Sequence, residues 1–206
     1  VGYEPKGEFK ENNTLLDAQT DQSLSMVLKA GLLCNNAGFQ TTKGIWSITG
    51  DPTEGSLIVV AAKAGLERAD LEKQYPRTKE IPFTSEGKYM VTIHQTSDGK
   101  RIAFMKGAPE VVLNRCTHLL EHDKEKELTE ATKNEILTVN EKFATDALRV
   151  LGICYKMLPA TSEDTEENAE RGFVFAGLQS MIDPPRSEAI EANKRCMNAG
   201  IKAVMI

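Results

Sequence analysis

Apolar and polar residues recur with two periods along this chain, and each period predicts a different kind of element. Between Asp21 and Leu32 the apolar residues have helical spacing, which predicts a helix with one buried face that Asp21 caps. Residues 129–143 have the same period and predict a long amphipathic helix. Residues 89–94 alternate like a strand, and the Ser-Asp-Gly-Lys sequence at 97–100 is typical of a tight turn, so a hairpin is predicted there.

Toward the end of the sequence the pattern predicts a strand at residues 173–182, a helix at 187–199 and a strand at 201–206. The first two are separated by Asp-Pro-Pro-Arg at 183–186. Two consecutive prolines fix φ and prevent a helix from continuing, so this segment is predicted to be a rigid connector.

Residues 102–116 change from a strand pattern to a helix pattern at a lysine and a glycine. Residues 102–105 are a short apolar run, and Pro109 suits the first turn of a helix because its missing N–H would be unpaired there. Gly107 permits a close approach to the backbone, and Lys106 supplies a cation beside free helix N–H groups. This combination suits a phosphorylated ligand, although a solvated lysine in an ordinary turn has the same pattern.

A second helix start lies at Gly-Asp-Pro-Thr-Glu, residues 50–54. Asp51 fits the N-cap, Pro52 the first helical residue and Glu54 the third, which is a capping-box arrangement. In one interpretation, Glu54 returns a hydrogen bond to the N–H group of Asp51. The predicted hairpin also brings Lys88 beside Lys106, and two such cations repel unless an anion or a carboxylate lies between them.

Composition excludes several classes of protein. The chain has 206 residues, 40% hydrophobic and 27% charged, which indicates one large globular domain or a domain with a fragment attached. A net charge of −5 without a basic patch argues against nucleic acid, and no apolar run approaches the roughly 20 residues that span a bilayer. The four cysteines are widely spaced and His118 and His122 lack a third ligand, so we expect reduced thiols and no metal site.

Five motifs in order resemble the nucleotide-binding domain of P-type cation-transporting ATPases, the group of the calcium and sodium pumps. They are Gly-Asp-Pro-Thr-Glu at 50–54, Phe-x-Ser-x-x-Lys at 83–88, Lys-Gly-Ala-Pro-Glu at 106–110, Leu-Arg-Val-Leu at 148–151 and Asp-Pro-Pro-Arg at 183–186. The third and fifth are specific. We therefore expect the mixed α/β fold of that domain, a twisted, largely antiparallel sheet flanked by helices with a pocket at one sheet edge.

The resemblance also implies roles for individual residues. Glu54 would reach the adenine amino group, Phe83 would stack on the base, and Arg149 would approach the phosphates. Lys88 and Lys106 would border the pocket. The full set implied to bind the nucleotide is Glu54, Phe83, Ser85, Lys88, Lys106, Gly107, Arg149 and Leu151. Animal calcium pumps carry an arginine at the position of Ser85, so a contact made by that arginine does not carry over.

Without the family, each of these residues has an ordinary explanation. Phe83 would be a core residue, and Arg149 a surface arginine at the end of a helix. A stand-alone adenine-nucleotide regulatory module and a pure interaction module are alternative functions. A hydrolase of the haloacid-dehalogenase type would need an Asp-x-Asp nucleophile motif after a strand, which this sequence lacks.

The domain organisation follows from the same resemblance. We expect residues 1–182 to be the nucleotide-binding domain, and residues 183–206 to be a hinge and the truncated start of the second half of the phosphorylation domain. The hinge would be Asp183, Pro184, Pro185 and Arg186. The sequence lacks Asp-Lys-Thr-Gly-Thr, so the phosphoryl acceptor is expected in the remainder of a longer parent.

The parent implied by the family is an ATP-driven cation pump, expected to be of the calcium-pump-like class and embedded in the cell membrane, with this domain on the cytoplasmic side. The fragment itself is expected to be soluble and monomeric, to bind ATP as its cofactor, and not to turn it over. Magnesium would be held mainly by the phosphorylation domain. That domain and the actuator domain of the same parent chain are the expected protein partners.

Overall fold

The structure, a computed structural model, describes residues 3–159, 171–182 and 187–204. Its strands are β1 (Phe9–Glu11), β2 (Thr14–Leu16), β3 (Gly38–Thr42), β4 (Ile45–Thr49), β5 (Arg77–Ile81), β6 (Tyr89–Gln95), β7 (Arg101–Gly107), β8 (Cys116–Glu121), β9 (Lys124–Glu127), β10 (Arg149–Leu158) and β11 (Phe173–Met181). Its helices are α1 (Gln22–Leu33), α2 (Pro52–Lys63), α3 (Arg68–Gln74), α4 (Pro109–Leu113), α5 (Glu130–Thr145) and α6 (Ser187–Asn198).

Seven strands form the main sheet, in the order β5-β6-β7-β10-β11-β8-β9. Neighbouring strands are antiparallel except for β11 and β8, which run parallel. Two short hairpins, β1-β2 and β3-β4, lie outside this sheet. The predicted mixed α/β fold, a largely antiparallel sheet flanked by helices, is confirmed.

Two hydrophobic cores cover opposite faces of the sheet, because side chains alternate between the faces along each strand. In β7, Phe104 packs with α1, α2 and α3, whereas Met105 packs with α4 and α5. In β10, Ile153 and Cys154 are divided in the same way. Lys106 lies two residues after Phe104 and therefore on the same face of the sheet. This face is the one that α2 covers.

The predicted helix starts are confirmed in atomic detail. The Asp21 carboxylate accepts the N–H of Leu24 at 2.8 Å at the start of α1. The Asp51 carboxylate accepts the N–H groups of Thr53 at 2.7 Å and Glu54 at 3.2 Å at the start of α2. These bonds satisfy donors that the first turn of a helix leaves unpaired.

Several strands differ from the sequence-based expectations, among them β2, β3 and β5, which were not predicted. The charged edge strand β9 and its partner β8 were not predicted, because Lys-Glu-Lys-Glu has no apolar alternation and all four residues are exposed. The strand predicted at residues 201–206 is wrong over Ile201 to Val204, which form no strand. Both residues are exposed, and an extended apolar segment becomes a strand only when a neighbouring strand pairs with it.

Some expectations concern residues outside the described part of the chain. The proposed hinge residues 183–186 are among them.

Within the described residues, no helix combines the length and apolar character that crossing a bilayer requires. No group of three or more His, Cys, Asp or Glu side chains among them is arranged to hold a metal ion. Cys34, Cys116 and Cys154 are buried free cysteines, and Cys196 is a partly exposed one.

His94 is the buried histidine of the α1 face and is only 1% exposed. Its Nδ1 lies 2.8 Å from the carbonyl oxygen of Tyr75 and its Nε2 lies 2.9 Å from the hydroxyl of Thr92. A neutral ring suits both contacts, with Nδ1–H donating and Nε2 accepting. Burial lowers the pKa of His94 from 6.5 to about 4, against the opposing effect of the Tyr75 carbonyl.

We therefore expect stability to fall as the pH drops from 7 to 5. The unfolded chain protonates His94 near its ordinary pKa, whereas the folded chain does so only near pH 4, so acid favours unfolding throughout that interval. The contribution is about 2 kcal/mol between pH 7 and pH 5. Urea unfolding at the two pH values measures this loss of unfolding free energy. In the His94→Gln variant the loss between pH 7 and pH 5 should be smaller than in the parent by about 2 kcal/mol. Equal losses would contradict the assignment.

Candidate functional site

A cleft of about 620 Å³ lies where the start of α2 faces the start of β6, the end of β7 and the start of β10. Its lining contains seven of the eight residues that the sequence motifs single out. Ser85 is the exception; it is exposed and lies outside the lining. The lining residues are Asn36, Asp51, Thr53, Glu54, Glu80, Pro82, Phe83, Lys88, Met90, Lys106, Gly107, Ala108, Arg149, Val150 and Leu151.

Lys106 and Glu54 form an ion pair at the wall of the cleft. The Nζ of Lys106 lies 2.6 Å from Oε1 of Glu54, and their side chains are 7% and 17% exposed. Strand alternation in β7 turns Lys106 toward α2, and Glu54 comes from the first turn of that helix. A lysine buried this deeply is stabilised only when a carboxylate meets it, so the pair explains how the chain accommodates the charge.

The capping-box interpretation of Glu54 is wrong. Its Oε2 accepts the N–H of Asn36 at 2.9 Å, and its Oε1 accepts Lys106, so the carboxylate faces the cleft wall rather than the N–H of Asp51. Asp51 alone caps the helix. The carboxylate thus has two donors that are both distant in sequence, which no local pattern could have indicated.

Asn36 and Glu80 line the cleft but were not singled out from the sequence. The Asn36 side chain donates to Oε1 of Glu80 at 2.8 Å and accepts from Arg77 at 2.6 Å. Arg77 also forms a 3.0 Å ion pair with Glu80. The carboxylate of Glu80 is therefore matched by a guanidinium group at this end of the cleft.

Lys88 directly precedes β6 and has a left-handed backbone conformation, with φ of 57°. Its N–H donates to the carbonyl of Thr84 at 2.8 Å, and its own carbonyl accepts the N–H of Ala108 at 2.9 Å. Such a conformation is unfavourable for a residue with a Cβ and persists where surrounding contacts impose it. Among the described residues, nothing forms a hydrogen bond or an ion pair with the Lys88 ammonium group.

Phe83 is 59% exposed although it is a large aromatic residue. It lines the cleft instead of either core, so the explanation of Phe83 as a core residue is wrong. An exposed ring at the mouth of a cleft offers a flat apolar face to a ligand. The backbone around it accounts for this placement, since Pro82 precedes it and the turn at Thr84 follows.

Arg149 is the first residue of β10 rather than the last residue of a helix. Its Nη1 donates to the hydroxyl of Thr53 at 2.6 Å, which ties the start of β10 to the start of α2. Burial acts to raise the pKa of Asp51, but hydrogen bonds from Thr53 and Glu54 and the charge of Arg149 outweigh it and lower that pKa. Asp51 therefore remains an ionised cap beside Arg149.

Gly107 lines the cleft and also lets two strands approach each other closely. A Cβ at this position would lie 2.4 Å from the carbonyl oxygen of Lys88 and 2.8 Å from Cα of Tyr89. The neighbouring backbone of β6 is what approaches Gly107 closely. This contact fixes the register between the strands that carry Lys88 and Lys106.

The geometry invites comparison with known proteins. Residues 23–188 match the model of the family described as P-type ATPase, cytoplasmic domain N. The chain belongs to this family. The resemblance read from the five motifs is thereby confirmed, and the cleft lies within the matched part of domain N.

Relatives of this domain N are similar over the whole chain. A calcium-transporting ATPase of Bacillus subtilis (strain 168) is 36% identical over 206 residues, which are 100% of this chain and 23% of the relative. A cation-transporting ATPase of Synechocystis is 41% identical, with the same shares of the two chains covered. A sodium/potassium-transporting ATPase subunit of Artemia franciscana is 34% identical over 97% of this chain and 22% of its own length. The chain thus spans under a quarter of the curated relatives it matches here.

The contact at Gly107 predicts an order of stabilities for two glycine variants. Gly107→Ala should lose about 2–4 kcal/mol, because its Cβ would overlap backbone atoms that cannot rotate away. Gly152→Ala should lose about 1 kcal/mol, since the nearest atom to its Cβ would be 3.1 Å away. Urea unfolding measures both, and a Gly152 variant as unstable as the Gly107 variant would contradict this account.

The ion pair predicts energetic coupling between Lys106 and Glu54. In a double-mutant cycle with Lys106→Met and Glu54→Gln, we expect a coupling energy of about 1–3 kcal/mol, because each single change leaves a largely buried partner unpaired. The exposed pair Lys73–Asp70, with side chains 76% and 64% exposed, is the matched control and should couple by about 0.5 kcal/mol or less. Equal coupling in the two pairs, measured by urea unfolding, would refute the importance of burial.

Proposed function

We propose that this cleft binds ATP, with the adenine between Phe83 and Glu54 and the phosphates toward Lys88 and Arg149. The observation that carries the proposal is the convergence of seven motif residues from α2, the β6 and β7 region and β10 on one cleft. The cleft volume of about 620 Å³ is typical of small-molecule sites. Ser85 does not line the cleft, so its place in the proposed site rests on the motif alone.

The distribution of charge supports this orientation. Glu54 is paired with Lys106, and Glu80 is paired with Arg77, so the end of the cleft near Asn36 is close to neutral. Among the described residues, Lys88 forms no ion pair and Arg149 donates only to the Thr53 hydroxyl. The ionised Asp51 carboxylate lies near Arg149, but it accepts the N–H groups of Thr53 and Glu54 and forms no ion pair with Arg149. Two cations that form no ion pair favour an anionic group at their end.

The base end has the two features that adenine needs. Phe83 presents an exposed ring for stacking. The Glu54 carboxylate accepts two hydrogen bonds in the structure and has lone pairs left for a ligand amino group. Magnesium would arrive with the phosphates, because each cleft carboxylate already has a partner: Asp51 caps α2, and Glu54 and Glu80 are paired.

In the parent protein, we propose, this domain presents ATP to an aspartate of the phosphorylation domain, and magnesium is held mainly there. The sequence contains no Asp-Lys-Thr-Gly-Thr segment, so residues 1–206 would bind ATP without hydrolysing it. Residues 1–182 would be the binding unit and residues 183–206 the hinge and the start of the phosphorylation domain. The parent would be an ATP-driven cation pump of the cell membrane, with calcium as the cargo and this domain on the cytoplasmic side, where it meets the phosphorylation and actuator domains.

Stacking predicts a selective effect of Phe83→Ala. Loss of the ring should remove about 1–3 kcal/mol of binding free energy, which raises the Kd for ATP by about 5- to 150-fold. Calorimetric titration with ATP measures the change. Ile45→Ala, at a residue that is 72% exposed and outside the cleft lining, is the control and should bind like the parent. A folded Phe83 variant with unchanged affinity would contradict the proposed position of the base.

The two cations predict a dependence on the phosphates. Lys88→Ala and Arg149→Ala should each weaken ATP binding by about fivefold or more, because each removes a charge-assisted hydrogen bond to a phosphate. Adenosine binding should stay unchanged in both variants. Lys124→Ala on the exposed edge strand β9 is the matched control. Equal losses for ATP and adenosine would show that these residues do not face the phosphates.

A further inference from the structure

Asn35 is a fully buried asparagine between α1 and α2, with 0% of its surface exposed. Its side-chain NH₂ group donates to the carbonyl of Gly31 at 3.1 Å and to the carbonyl of Glu54 at 2.8 Å. Its Oδ1 accepts the N–H of Ala37 at 2.9 Å. The side chain therefore joins the end of α1 to the first turn of α2, where the candidate adenine acceptor lies.

Two arginines fix the backbone of the same turn. Arg68 donates to the carbonyl oxygens of Asn35 at 2.7 Å and Ala37 at 2.6 Å. Arg77 donates to the carbonyl oxygens of Asn35 at 2.6 Å and Leu33 at 2.8 Å. Cations suit this place because the last carbonyls of a helix lack partners within the helix. The turn at residues 35–37 is thus held from α3, from β5 and by its own buried side chain.

The consequence of this restraint appears at Glu54. The N–H of Asn36, the next residue in the turn, donates to Oε2 of Glu54 at 2.9 Å. Asn35 holds the main-chain carbonyl of Glu54, Asn36 holds one carboxylate oxygen, and Lys106 holds the other. Glu54 is therefore fixed at both its backbone and its carboxylate.

We propose that Asn35 is a positioning residue for recognition of the base, acting through Glu54. This inference rests on the proposed function. A glutamate that Asn35 holds at its main-chain carbonyl, and that two donors hold at its carboxylate, presents its free lone pairs in one direction. This favours a ligand with an amino group there and disfavours one with a carbonyl oxygen. When the turn is loosened, the carboxylate rotates, and the two kinds of purine are distinguished less well.

A purely structural asparagine would have the same contacts and the same cost of removal. The two roles differ in what they predict for ligands. Loss of a structural residue weakens all nucleotides alike, whereas loss of a positioning residue acts on the amino group alone. The ratio of affinities for a purine with that amino group and a purine without it therefore separates the roles.

The experiment compares ATP with inosine triphosphate, which has a carbonyl oxygen where adenine has the amino group. Dissociation constants are measured by calorimetry for the parent chain and for Asn35→Ala. We expect the parent to prefer ATP by about tenfold, as one hydrogen bond to a charged acceptor implies. Asn35→Ala should reduce that ratio by about fivefold, while the affinity for inosine triphosphate changes less than about twofold.

Two further variants keep the test decisive. Thr92→Val is a control for lost stability, because Thr92 is buried and hydrogen-bonded to His94 but lies outside the cleft lining; it should keep the ratio of the parent. If Asn35→Ala does not fold, Arg68→Ala loosens the same turn from a partly exposed position and should lower the ratio in the same direction.

Each remaining outcome counts against a specific claim. Equal weakening of both nucleotides in Asn35→Ala, or in Arg68→Ala, overturns the positioning role and leaves the nucleotide site intact. A parent chain that binds both nucleotides equally also overturns it, because Glu54 then does not read the amino group. A parent chain that binds neither nucleotide overturns the proposed function itself.

Discussion

The charge of Lys106 constrains how the sheet and α2 pack together. Strand alternation turns this lysine into the interface between the sheet and α2, where an ammonium group is stable only beside a carboxylate. Glu54 meets it, and this contact sets how the first turn of α2 lies against β7. Because the pair neutralises itself, the charge at the other part of the cleft is set by Lys88 and Arg149 together with the ionised helix cap Asp51.

These two cations are delivered by unusual backbone turns. Lys88 itself has φ of 57°, and Ala147, two residues before Arg149, has the same value. At the end of α5 the N–H of Leu148 donates to the carbonyl of Phe143 at 3.0 Å, a helix-ending arrangement in which glycine is the usual residue. Two of the seven non-glycine residues with positive φ among the described residues thus lie just before strands that enter the cleft, while the other five lie in the hairpin turns β1-β2, β3-β4 and β8-β9.

Much of this arrangement could be predicted from the sequence where the cause is local. Asp51 caps α2 because it is followed by proline and a helical pattern, and the alternating residues of β6 and β7 require a hairpin. The pairing of Glu54 with Lys106, 52 residues apart, and the role of Asn36 could not be predicted. They depend on how α1, α2 and the sheet pack together, and neither residue type nor spacing encodes that packing directly. The motifs indicated which residues line the cleft but not which of them form contacts with each other.

The most direct test of the central claim is a titration of ATP into the ¹⁵N-labelled chain, followed by amide chemical shifts. If ATP binds in this cleft, saturable shifts should cluster at Asn36, Glu54, Phe83, Lys106 and Arg149. Residues of the second, largely apolar cleft between α1, α2 and β11, among them Val27, Val60 and Met181, should remain unaffected. Largest shifts in that second cleft, or no saturable shift in a folded chain, would contradict the account.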